Sequence, residues 1–294
     1  MAQIQDASIQ LPVLDESSPL TGTALGVAGV PRADTPRKVM VIVHGAGSFP
    51  DDYYKPLVAA IEERLGASFN YIPVYYADIT NSPSTIVAAQ VAPEDLPAAE
   101  EFKQNWMDEM QRSRAAVLES RGELGVTLSA LEAEDVSSIR QVQIIVKEVT
   151  NYLFIPKFAA RIQERLIAGL DQAAQMYDEI VLATLSLGTL VALDALKLNA
   201  NRYKITDWFT TGSPLAHLRR IGARSAELGA IQPPNIAHWL NLYDTNDVIA
   251  SAIGPQFPGY RLYDVYVNVG DDPIDAHDYF NNGETLDLLA DEMR

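Results

Sequence analysis

A serine that attacks a carbonyl needs a hydroxyl lifted clear of the backbone, a base to take its proton and donors for the oxyanion that forms. One stretch of the chain has the pattern for the first of these. Ile180-Val181-Leu182-Ala183 reads as a strand, Thr184-Leu185-Ser186-Leu187-Gly188 as a tight turn, and the apolar residues from Thr189 to Leu196 as a helix. Strand, turn and helix in that order are the setting of a nucleophile elbow, which would place Ser186 on a strained turn with the next helix starting beneath it. Backbone amides and the positive end of that helix would then face a developing oxyanion. Gly188, two residues after the serine, permits close approach of helix and strand, whereas Thr184, two before it, replaces the glycine of a Gly-x-Ser-x-Gly motif. A serine between small residues is also a common helix N-cap, and that alternative stays open on the residues alone.

A second turn, His44-Gly45-Ala46-Gly47, closes the apolar run Val39-Met40-Val41-Ile42-Val43. Gly-x-Gly after a strand can open a dinucleotide-binding or phosphate loop, but Pro50 stands in the place of the third glycine and no Lys-Ser or Lys-Thr pair follows. A plain tight turn is the structural alternative. With the elbow, the segment Val43-His44-Gly45-Ala46-Gly47 resembles the α/β-hydrolase superfamily, especially its bacterial lipase-like and esterase-like serine hydrolases. Thr210-Thr211-Gly212-Ser213-Pro214-Leu215 is similar to a segment after the next strand in many such lipases and is read as structural. The resemblance covers about residues 38 to 280 and leaves the middle of the chain largely unmatched. It implies a Ser-His-Asp triad with Ser186 as nucleophile, and the N–H groups of Ala46 and Leu187 as the oxyanion hole. That chemistry requires no cofactor, and no cluster of residues with metal-ligand spacing is visible.

The chain contains 4 histidines. His44 belongs to the proposed oxyanion loop, and His238 begins a strand and so lies at the edge opposite the carboxyl ends, where open α/β sheets hold their sites. His217 and His277 remain. Only His277, in Asp275-Ala276-His277-Asp278-Tyr279-Phe280 after the last strand, gives the order serine, acid, histidine that this fold uses. The acid should follow the preceding strand, where Asn241-Leu242-Tyr243-Asp244-Thr245-Asn246-Asp247-Val248 offers two carboxylates, either of which could be an ordinary turn residue. The stretch resembles the superfamily's Asp-x-x-Asp-Pro-Val turn, whose second aspartate is the triad member. The resemblance therefore implies Asp247, and Val248 in place of the proline leaves Asp244 as the alternative.

These residues must be positioned by a sheet. Apolar runs at 39–43, 71–75, 180–183, 208–210, 239–242 and 263–267, mostly separated by helix-like stretches, predict an α/β fold. Unbroken apolar strands suit a mostly parallel, doubly wound sheet covered on both faces. From about residue 83 to 177 helical periodicity replaces the alternation. Phe102, Trp106, Met110 and Val117 share one face, Ile139, Val142, Val146, Val149 and Leu153 another, and Phe158, Ile162, Leu166 and Leu170 a third. Each stripe can simply be core. Because the insertion precedes the elbow strand, it is expected to form a helical cap near the site and to end in a helix packed on the sheet.

Length and composition bound the rest. With 294 residues, 48% hydrophobic and 21% charged, the chain suits one core domain, assigned to 38–294, preceded by an N-terminal arm or edge strand over 1–37. A formal charge of −17 disfavours nucleic acid and anionic lipid surfaces as partners. The absence of cysteine excludes disulfides and thiol nucleophiles. No secretory signal and no bilayer-spanning run is visible, so a cytoplasmic location without a transmembrane segment is expected. The resemblance implies hydrolysis of a small-molecule or lipid-like carboxylic ester through an acyl-enzyme. The alternatives are thioesterase or acyltransferase chemistry on the same triad, and a degenerate hydrolase that binds without turnover.

Overall fold

In the computed structural model, residues 36–81, 91–120, 136–199, 202–222, 236–257, 261–272 and 275–294 are described. The N-terminal arm assigned to 1–37 lies almost wholly outside them, as do parts of the insertion at 83–90 and 121–135. Six parallel strands form one sheet: β1 (Lys38–Val43), β2 (Tyr71–Val74), β3 (Glu179–Leu185), β4 (Ile205–Thr211), β5 (Ile236–Tyr243) and β6 (Leu262–Tyr266), in the order β2-β1-β3-β4-β5-β6. Eight α-helices are described: α1 (Lys55–Leu65), α2 (Ala77–Asn81), α3 (Leu96–Ser120), α4 (Val136–Phe154), α5 (Pro156–Met176), α6 (Leu187–Leu198), α7 (Leu215–Arg220) and α8 (Gly283–Met293). The protein is thus α/β, and among the described residues its sheet is parallel throughout.

Period-two alternation explains how both faces are buried. Val39, Val41 and Val43 of β1, with Ile180 and Leu182 of β3, pack beneath α5 and α6. Met40, Ile42, Val181 and Ala183 point the other way, toward α1 and α8. Strands buried on both faces have little need of polar residues, which is why the runs in β1 and β3 are continuous.

Of the insertion helices, α5 is part of the sheet's cover. Phe158, Ile162, Leu166 and Leu170 are buried, and a Cβ at Gly169 would lie only 2.9 Å from Val74 Cγ2. Trp106 of α3 and Val146 of α4 join the same core, so these stripes are packing faces. β4 and β5 extend further toward their amino ends than their apolar runs predict. Asp207, in β4, is nearly buried and pairs with His238 of β5 at 3.0 Å, an interstrand contact that apolar patterning does not register. Among the described residues no helix is long and apolar enough to cross a membrane.

Strand order reverses between β1 and β3, since the chain runs outward from β1 to β2 and then returns to the far side of β1. In open α/β sheets such a switch point leaves a crevice beyond the carboxyl ends, where ligands bind. The turns after β1 and β3 carry Gly45–Gly47 and Ser186.

Candidate active site

At the end of β3 the backbone turns through Ser186 with φ 51° and ψ −121°, the sole positive φ outside glycine among the described residues. A non-glycine residue held there costs on the order of 1–3 kcal/mol and persists only where its surroundings enforce it. Here Ser186 N–H donates to Thr211 O at 2.9 Å, and the Ser186 carbonyl accepts from Thr189 N–H and Oγ1 at 2.9 and 2.8 Å. Helix α6 starts at the next residue, Leu187, so the amides of Leu187 and Gly188 have no preceding helical turn to accept from them. No side-chain hydrogen bond makes Ser186 a conventional cap.

Two glycines let the turns interlock. A Cβ at Gly188 would come within 2.5 Å of the His44 carbonyl oxygen, and one at Gly45 within 2.8 Å of Ser186 Cβ. Thr184 also has a local reason. It is fully buried, its Oγ1 donates to Phe209 O and accepts from Trp208 Nε1–H, both at 3.0 Å, and so it ties β3 to β4.

His44 is fully buried and acts within its own loop. Its Nδ1–H donates to Gly45 O at 2.8 Å and its Nε2 accepts from Tyr76 N–H at 3.1 Å. Burial pushes its pKa down to about 4, against the hydrogen bond to Gly45, so the ring is neutral at pH 7. Ala46 and Gly47 follow and line a pocket of about 540 Å³ that Ser186, Leu185, Phe49 and His277 also line. Leu187, the second expected oxyanion residue, occupies the first position of α6 with its side chain in the core.

Asp247 and His277 are joined. Asp247 Oδ2 lies 2.8 Å from His277 Nδ1, and the Asp247 side chain is fully buried. A carboxylate only accepts, so Nδ1–H is the donor, and the lone pair of the neutral ring would lie on Nε2. Tyr279 O–H donates to Asp247 Oδ2 at 3.0 Å, Ile249 N–H donates to Oδ1 at 2.8 Å, and the Asp247 oxygens are thereby fixed. Asp244 has another duty: Oδ1 accepts from Asn246 N–H, and Oδ2 from the N–H groups of Val269 and Gly270. It anchors the loops around the pair and makes no bond to a histidine.

The other histidines stand apart from that pairing. His238, half exposed, is held by Asp207. His217 on α7 is buried between Arg220, 3.3 Å from its Nδ1, and Glu109, at 3.7 Å. Burial first and the Arg220 charge second push its pKa down to about 4. A general base must become a cation, which burial and Arg220 oppose at His217.

Ser186 Oγ and His277 Nε2 are both buried, line the same pocket and make no hydrogen bond. The structure therefore brings serine and histidine to one cavity without joining them. Bonds between a nucleophile and its base are often long until substrate is bound.

Three contributors escape the sequence reading. Tyr279 bridges Asp247 to the backbone of Asp244, whose N–H donates to its hydroxyl at 2.8 Å. Gly212 backs the His277 ring so closely that a Cβ there would lie 2.7 Å from Cε1. Glu148 of α4 accepts from Gly47 N–H at 3.1 Å. Proximity in sequence to recognisable residues is a signal for Tyr279, two positions after His277, and for Gly212, inside the segment 210–215 read as structural, but not for Glu148. Among the described residues, no group of three or more His, Asp or Glu side chains is placed to hold a metal ion. No protein-family model matches this chain, and a search of curated proteins returns no match either.

Proposed function

We propose that the protein is a serine hydrolase of the α/β-hydrolase type that cleaves carboxylic esters. The reading is carried by one observation: an Asp247–His277 hydrogen bond orients an imidazole toward the pocket that also holds Ser186 on its strained turn. Ser186 Oγ attacks the acyl carbonyl as His277 Nε2 takes its proton, and Asp247 stabilises the imidazolium that results. Ala46 N–H and Leu187 N–H serve the oxyanion. His277 then protonates the departing alcohol, and a water activated by the same imidazole releases the acid. The chain order Ser186, Asp247, His277 and the placement of all three beyond strand carboxyl ends agree with this chemistry.

A pocket of about 540 Å³ suits a small ester, and Phe49, Ile144, Ile145 and Leu185 give it apolar walls. Thioester hydrolysis or acyl transfer would use the same atoms. The missing Ser186–His277 hydrogen bond favours a second reading, in which the pocket binds ligands without turnover. Kinetics separates the two. Purified protein should hydrolyse a short-chain p-nitrophenyl ester, and Ser186→Ala and His277→Ala should each lower kcat about 10⁴-fold or more with an unchanged unfolding midpoint. Near-normal turnover by either variant would refute the assignment, and an inactive wild type across ester lengths would support the binding reading.

A further inference from the structure

Helix α4 approaches the pocket with a single face. Gln141, Ile144 and Ile145 line the cavity, and Glu148, the next residue in the same three-and-four spacing, reaches the loop after β1. Its Oε2 accepts from Gly47 N–H at 3.1 Å, and the residue is only 6% exposed. Burying a carboxylate is costly unless it is bonded, so Glu148, buried beside Ile144, Ile145 and Val149 with only the neighbouring Lys147 to offset its charge, requires a compensating role. Gly47 itself has φ +115°, a left-handed backbone that side chains rarely adopt and that leaves its amide facing α4.

We propose that Glu148 is a positioning residue, holding the Gly47 amide so that the adjoining Ala46 N–H is set at the oxyanion position. The proposal rests on the hydrolase reading given above. It makes α4 act twice: Ile144 and Ile145 wall the acyl site, and one turn further along Glu148 sets the hole into which the carbonyl oxygen must fit. Misplacing a donor by about 1 Å can cost on the order of 10²-fold in rate, so an anchor that never touches substrate still matters. Burial pushes the Glu148 pKa up to about 7, against the pull of the Gly47 hydrogen bond. That carboxyl accepts from Gly47 N–H whether ionised or neutral, and the geometry depends on an acceptor at this point.

Two variants and two readouts test this. Glu148→Met fills the volume without an acceptor, whereas Glu148→Gln keeps a carbonyl oxygen at the same reach. In the full-length protein, Glu148→Met should lower kcat for a short-chain ester about 10- to 100-fold with KM within about twofold, and Glu148→Gln should stay within about threefold of wild type. Amide hydrogen exchange, which needs no activity, should be at least about tenfold faster in the peptide spanning residues 44–49 for Glu148→Met, and unchanged for Glu148→Gln. Unchanged exchange in Glu148→Met would overturn the anchor, and altered exchange with kcat within about twofold would overturn its role in catalysis. If wild type turns over no ester while exchange behaves as expected, the hydrolase reading fails and the anchor stands as a loop contact alone.

Discussion

The two halves of the site are built differently. On the acid side, Asp244, Asp247 and Tyr279 are buried and every carboxylate oxygen of the pair of aspartates is bonded, mostly to backbone N–H groups of loops that leave β5 and β6. On the nucleophile side, Ser186 Oγ and His277 Nε2 are buried yet unbonded, and the wall facing them comes from α4 of the insertion. One half is locked by its own sheet and the other is open to whatever enters the pocket. On the proposed hydrolase reading, the difference teaches where precision would be stored: the histidine is held in advance, and the serine's remaining partners would be supplied by the substrate.

If that division holds, substitutions on the locked side should fall into rate or stability according to which aspartate is touched. Asp247→Asn leaves one accepting oxygen where two are used, by Ile249 N–H and by His277 Nδ1, so an NH2 donor facing His277 would impose the wrong tautomer and kcat should drop about 10⁴-fold. Asp244→Asn instead places an amide against the N–H groups of Val269 and Gly270, and should cost about 1–3 kcal/mol of stability with kcat near wild type in the folded protein. Urea unfolding and ester kinetics on both variants distinguish these outcomes, and an inactive but stable Asp244→Asn would reverse the assignment. On the open side the effects should be smaller. Ile144 is 38% exposed and lines the pocket, so Ile144→Ala should leave the unfolding midpoint unchanged while flattening the rise of kcat/KM with acyl length by several-fold. An unaltered acyl-chain profile would make α4 a scaffold on this side as well.

Much of the sheet was legible because its strands are buried on both faces, which leaves continuous apolar runs such as Val39 to Val43. Polar positions hid the amino ends of β4 and β5, where Asp207 and His238 satisfy one another. The insertion was legible as helices but not by destination. Periodicity marks a buried face without saying what covers it, and Trp106, Val146 and Phe158, which could have lined a cap, are core. Cavity-lining Ile144 sits beside the Val142–Val146–Val149 stripe, Ile145 belongs to core and cavity alike, and their contact with the cavity emerges only once α4 is docked. The site divides in the same way. Ser186 and Gly188 announce themselves through a strand-turn-helix pattern, but the choice of Asp247 over Asp244 rested on a resemblance, and the geometry that separates them lies in long-range bonds to residues 269, 270, 277 and 279. Glu148 carries no local signature, and Gly212, although it lies in the segment read as structural, meets His277 only through a contact from a distant segment.

The central claim is that Ser186 is an activated nucleophile, and a fluorophosphonate probe tests it without knowledge of the substrate. Such a probe reacts with a serine whose hydroxyl is deprotonated by a neighbouring base as it attacks. Incubated with the wild-type protein, it should label one residue, mapped by peptide mass spectrometry to Ser186, with no labelling of Ser186→Ala and much slower labelling of His277→Ala. Folded wild-type protein that stays unlabelled, or that is labelled at another serine, would contradict the account.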